Sequence, residues 1–138
     1  MPKLFGTNIL IILLAGFLFF MLGWLWFGIL FGDAWMALAG VTEETASENM
    51  GRSLIIGLLL SILQATGIAA ILSMASERGI SKGLKVGFLA WLLFALPTLT
   101  YDWNYAISPF QLLVMDAGYQ LLGYLLMGAV LAGLHKKN

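Results

Sequence analysis

NILIILLAGFLFFMLGWLWFGILF, residues 8–31, runs 24 positions without one charged side chain. A helix rising about 1.5 Å per residue needs about 20 such residues to cross the hydrocarbon core of a bilayer. Lys3 precedes the run, as it would in a signal peptide. The run is too long for one, however, and leads into GWLWFG with no small-x-small cleavage site. It reads as a retained first membrane span, and that reading decides the class of the chain.

The remainder agrees with it. The 138 residues are 61% hydrophobic and 10% charged, with mean hydropathy +0.95. Soluble domains carry about 25% charged residues, so this chain has too few polar groups to cover a globule. Three further apolar stretches have spanning length: 53–74, 84–99 with an extension to Tyr101, and 109–133. The predicted architecture is an all-α membrane protein of one domain, residues 1–138. Its four transmembrane helices lie at about 8–31, 53–74, 84–101 and 109–133. The bilayer is the first partner, and the bacterial inner membrane is the expected location.

Basic residues set the expected orientation. Lys3, Arg78, Lys82, Lys85, Lys136 and Lys137 fall on one side, and only Arg52 on the other, where Asp33, Glu43, Glu44, Glu48 and Asp102 collect. Four spans with both termini cytoplasmic satisfy every loop. The formal net charge of zero leaves no basic footprint for nucleic acid. With no cysteine there is neither a disulfide framework nor a thiolate. No nucleotide or metalloprotease motif is present, and the single His135 sits beside two lysines at the tail. No enzyme, metal or cofactor is therefore expected.

Local signals suggest where helices start and stop. Ser108-Pro-Phe-Gln111 and Thr45-Ala-Ser-Glu48 have the form of capping boxes. Gly79 is a candidate C-cap after Glu77 and Arg78. Pro97 should kink or end the third helix. The short segment after it makes helices three and four antiparallel neighbours.

In lipid, helices associate through close packing and hydrogen bonding, and small residues at four-residue spacing mark the contact. Helix two carries Gly57, Ser61, Ala65, Ala69 and Ser73 in that spacing. It should sit centrally, in close backbone contact with another helix. Gly28/Gly32 and Gly83/Gly87 are shorter GxxxG pairs.

Asp116 interrupts the fourth apolar stretch. Gln64 lies 11 residues past Ser53 and Gln120 lies 11 past Pro109, so both sit about 16 Å into the membrane at about 1.5 Å per residue. Asp116 is one turn shallower, level with Ser61. These positions predict an intramembrane polar seam, with Asp116 near Ser61, Gln120 near Gln64, and Tyr119 beside them. A carboxylate at this depth costs on the order of 2.5–3.5 kcal/mol or more and is a functional candidate by default. Asp116 could relay protons or exchange with a cation. It could equally be a neutral acid, or one paired with Arg52, clamping two helices. The outer half of the membrane-spanning region is expected to hold Trp24, Trp35, Asp33, Asp102 and Trp103 as a possible binding surface. Aromatic rings beside acids suit an organic cation, and Trp and Tyr also form interfacial belts.

Two blocks carry a family resemblance: LGWLWFGILFGDAWMALAGVTEE (22–44) and MDAGYQLLGYLLMGAVLAGL (115–134). Their order and spacing resemble a family of small bacterial and fungal membrane proteins classified only as a domain of unknown function. Members commonly have a proline in the block corresponding to Phe27–Phe31, where this chain reads FGILF. The resemblance implies a four-helix membrane fold and supplies no activity. It directs attention to Trp24, Phe31, Gly32, Trp35, Asp116, Gly118 and Tyr119.

Two functions follow as expectations. One is binding or translocation of a small solute or protons through an oligomer that uses Asp116, because four helices alone enclose little space. The other is an accessory or scaffold subunit of a larger membrane complex, with Asp116 as an interhelical hydrogen-bond clamp.

Overall fold

Glycine and alanine decide which helices touch. In a computed structural model describing residues 2–75 and 79–134, four long apolar helices pack side by side: Ile9–Leu30, Met50–Ser73, Ile80–Tyr105 and Phe110–Gly133. All four predicted spans are present, the third beginning earlier and ending later than its hydropathy suggested. Arg78, Lys136 and Lys137, used above for orientation, and the tail His135 lie outside the described residues. Among the described residues the bundle has a basic end with Lys3, Lys82 and Lys85. Its acidic end holds Asp33, Glu43, Glu44, Glu48 and Asp102, and Arg52.

A two-residue hairpin precedes the first span, pairing Lys3 with Asn8 and Leu4 with Thr7. Phe5 and Gly6 at its tip both have positive φ, 51° and 71°, as the tightest hairpin turn requires. Asn8 then caps the span, its side-chain oxygen accepting from the Leu10 N–H at 2.9 Å. The first span is α-helical to Trp24 and continues as a wider π-helical segment over Leu25–Leu30. Two short helices follow at the acidic end, Gly32–Ala39 and Glu43–Glu48, separated by Gly40 in the left-handed region.

Several expected boundaries move. The Glu43–Glu48 helix is capped by Thr42, whose hydroxyl accepts from the Thr45 N–H at 3.1 Å, so the cap lies three residues before the predicted box. Ser108 does not cap the fourth span either. Its hydroxyl donates to Asp102 Oδ2 at 2.6 Å, and Pro109 stands at the cap position without a side-chain bond. Gly79, expected to close a helix, opens one, directly before Ile80. Pro97 neither ends nor breaks the third span. The turn before it, Trp91–Ala95, is π-helical, and α-helix resumes at Leu96. Proline has no N–H and its ring crowds the carbonyl a turn back, which the wider turn relieves. Thr98 and Thr100 donate their hydroxyls to the carbonyls of Phe94 and Leu96 at 2.6 and 2.7 Å, so polar backbone is satisfied inside the span.

The small residues of the second span are placed unevenly. Ala65 and Ala69 are buried in one cluster with Ile12, Ala15 and Phe19, Ser61 is buried as well, and a Cβ at Gly16 would stand 2.9 Å from Ile62 Cα. Gly57 lies beside the Phe20 ring at 3.4 Å. Ser73 is exposed, its hydroxyl donating to Ala70 O, and takes no part. The second span is not the centre of the bundle. That place belongs to the fourth, which packs at length on the first and third and also meets the second. The tightest approach is between spans three and four, where a Cβ on Gly83 would overlap the Gly128 carbonyl and one on Gly87 the Tyr124 carbonyl. The other glycine pair joins no helices: Gly28 meets only the Trp24 side chain, and Gly32 lies against the Phe27 carbonyl of its own turn.

Candidate functional site

Four-residue spacing places Leu112, Asp116, Gln120 and Tyr124 along one side of the fourth span. Asp116 is half-buried and lines a cavity of about 170 Å³ between spans three and four. Thr98, Asp102, Trp103 and Ser108 form the rest of its polar and aromatic wall, and Leu99, Leu112 and Leu113 its apolar part. Asp102 and Asp116 thus face one small volume, an arrangement that attracts positive charge. Ser108 holds Asp102 from the turn between the spans. That turn carries Ile107 at φ 57°, a conformation rarely adopted by a β-branched residue. The short helix Gly32–Ala39 packs on the fourth span, and its Trp35 ring meets Phe27 edge-on, centroids 5.5 Å apart.

One turn along the fourth span the polar groups pair. Gln64 Nε2 donates to Gln120 Oε1 at 3.1 Å and to Tyr124 Oη at 3.0 Å. The three side chains form the floor of a groove of about 240 Å³ whose wall is Phe94, Ala95, Thr98 and Leu99. Thr98 and Leu99 border both volumes, so groove and cavity adjoin along the third span. The π turn sets this geometry. Trp91 Nε1 donates to Ala117 O at 2.9 Å, fixing the third span against the fourth beside Asp116.

The predicted seam is thus divided. Gln64 meets Gln120 as the depth argument required. Ser61, 4% exposed, is not among the residues that line the cavity with Asp116. Helical rotation is about 100° per residue, so Ser61 and Gln64 point about 60° apart. When the stripe turns to span one, Gln64 swings to span four and Ser61 does not. Arg52 is exposed and is not among the groups around Asp116.

Tyr119 belongs to packing. It stacks on Phe19 with centroids 4.8 Å apart, donates its hydroxyl to Phe19 O at 3.3 Å, and meets Phe27 edge-on. Gly118 leaves room for the Trp26 ring, whose Nε1 is sealed without a partner. The predicted outer surface also divides. Asp102 and Trp103 gather around Asp116, Trp103 also packing edge-on to Phe110, and Trp35 lies on the short helix packed on the fourth span. Trp24 points outward at 57% exposure, and Asp33 is exposed away from the cavity lining.

Sequence reasoning missed Thr98, Ser108, Trp91 and Tyr124. Tyr124 carried a signal, since it continues the four-residue spacing of Asp116 and Gln120. The other three depend on how spans three and four meet. No group of three or more histidine, cysteine or acidic side chains capable of holding a metal occurs among the described residues.

Together the fold and the polar track define a small helical membrane protein with four candidate spans. The chain belongs to the family described as protein of unknown function (DUF1761), which it matches over residues 10–132, a range that contains Asp116 and every residue placed around it. No curated protein and no solved structure matches it.

Proposed function

We propose that the protein binds a small solute or protons within the membrane and passes them along the track from Asp102 and Asp116 toward Gln120 and Gln64. Asp116 is the charged element of that track. The observation that carries this reading is the cavity itself. Asp116 opens onto a volume of about 170 Å³ opposite a second carboxylate, instead of being closed against a donor of a neighbouring span. Neither cavity nor groove crosses the whole bundle, which supports a pathway completed by self-association. The cavity is smaller than the about 300–1,000 Å³ of sites for drug-sized molecules, so the solute is small.

The test uses the protein reconstituted in phosphatidylcholine vesicles loaded with a pH-reporting dye. A pH step or methylammonium should produce a flux that Asp116→Asn abolishes and Ser108→Ala reduces. Equal flux from wild type and Asp116→Asn vesicles would remove the reading. One observation favours the clamp instead: the short helix Gly32–Ala39, which carries Trp35, packs on the span that carries Asp116. In that case Asp116→Asn lowers stability or retention of a larger membrane partner, with no protein-dependent flux in any variant.

A further inference from the structure

The groove floored by Gln64, Gln120 and Tyr124 has an unbalanced hydrogen-bond inventory. Gln64 Nε2 spends both its N–H groups, one on Gln120 and one on Tyr124. Three capacities are left without a partner among the described residues: Gln64 Oε1 as acceptor, both N–H groups of Gln120 Nε2, and the Tyr124 O–H as donor. Gln64 Oε1 and Gln120 Nε2 are not sealed in the protein. The only partnerless buried side-chain polar atoms among the described residues are Thr7 Oγ1 and Trp26 Nε1. Gln64 Oε1 and Gln120 Nε2 are therefore reachable, and the Gln64, Gln120 and Tyr124 side chains line the groove, midway along spans two and four, with Phe94, Ala95 and Leu99 as its apolar wall. In hydrocarbon a polar group has no solvent to bond and must find a partner.

We infer that this groove is a second binding site, taking a small apolar molecule that ends in a planar donor–acceptor group, either a carboxamide or a protonated carboxyl. Such a group accepts from Gln120 Nε2 or Tyr124 Oη through its carbonyl and donates to Gln64 Oε1 through its N–H or O–H. Both atoms lie on one edge of one plane, as the floor requires. The apolar tail lies against Phe94 and Leu99. At about 240 Å³ the groove takes a short-chain molecule and not a drug-sized one. The site lies at the Gln120–Gln64 end of the track proposed above and deepens that reading, but Asp116 is not part of its floor and ligand binding there needs no flux, so the two fail separately.

The chain has three glutamines, Gln64, Gln111 and Gln120, so selective 15N-glutamine labelling in phosphatidylcholine bicelles isolates the site, with exposed Gln111 as internal control. Titration with hexanamide, and with hexanoic acid at a pH where it is protonated, should shift the side-chain signals of Gln64 and Gln120 saturably and leave Gln111 in place. The tighter of the two identifies the group. N,N-Dimethylhexanamide, which keeps the carbonyl and loses the donor, should bind at least tenfold more weakly. Tyr124→Phe should weaken hexanamide binding several-fold, and Gly67→Ala, where nothing lies within 4 Å of a Cβ, should leave it unchanged. Three results would overturn the inference: no saturable shift with either probe, equal responses to hexanamide and its dimethyl analogue, or exchange of the Gln120 amide protons with bulk water that neither probe slows. The probe comparisons use the wild-type chain and need no variant to fold.

Discussion

The rings of Phe19 and Tyr119 lie stacked, 4.8 Å apart and 19° from parallel, each over a glycine of the opposite helix. Phe19 of the first span fills the notch at Gly123, and Tyr119 of the fourth fills the notch at Gly23. Each glycine follows the aromatic of its own helix by four residues, so the arrangement is reciprocal between antiparallel spans. It sets the azimuth of the fourth span, and with it the direction of Asp116 and Gln120.

Gly123→Ala should therefore be costly, because its Cβ would overlap the Phe19 ring. Overpacking of this kind destabilises by about 1–3 kcal/mol. Gly67→Ala is the control, since nothing lies within 4 Å of a Cβ there. It should be neutral or stabilising by up to about 1 kcal/mol through helix propensity. Thermal unfolding in one detergent compares them. Equal midpoints would refute the interlock.

Between spans three and four the obstacle is backbone, which cannot swing aside. A Cβ at Gly83 meets the Gly128 carbonyl, and a Cβ at Gly128 meets that of Gly83. Gly83→Ala and Gly128→Ala should each lower the unfolding midpoint further than Gly123→Ala, where a ring can yield. The reverse order would mean that these two spans do not meet as described.

Trp91→Phe removes the bond to the Ala117 carbonyl while keeping most of the ring. The loss should be about 0.5–1.5 kcal/mol in chemical unfolding. If Trp91 fixes the third span beside Asp116, the variant should also alter the fluorescence of the neighbouring tryptophans Trp35 and Trp103. A stability change without any spectral change in those two, measured with the other tryptophans replaced by phenylalanine, would separate the bond from the cavity.

Much of the fold was legible because hydrocarbon imposes length and polarity on any span, and residues 8–31 or 109–133 offer no other reading. The meeting of Gln64 with Gln120 was legible from depth, since both could be counted from their helix starts. Azimuth was not. Whether Ser61 faces span one or span four depends on which helix accepts the small stripe, and that is decided by Gly16 and the Phe19–Gly123 contact across the bundle. The π turn at Trp91–Ala95 had a signal in Pro97, but the one at Leu25–Leu30 had none, because no residue in LWFGIL demands a wider turn. Both capping boxes misled for one reason: Thr42 and Asp102 offered the hydroxyls of Thr45 and Ser108 other partners. Thr98 and Ser108 acquire a place in the site only through the contact of spans three and four.

The central claim is that Asp116 faces a reachable cavity and not a dry contact. The native chain has no cysteine, so single cysteines at positions 116, 108 and 63 can be tested with a membrane-impermeant cationic thiol reagent in sealed vesicles. Ser108→Cys marks the cavity mouth, and Leu63→Cys, at 66% exposure on the outer face of the second span, marks surface facing lipid. The account predicts that Asp116→Cys reacts from the acidic end at a rate close to that of Ser108→Cys, and that methylammonium slows Ser108→Cys labelling only while Asp116 is present. Labelling of Asp116→Cys as slow as that of Leu63→Cys would contradict it.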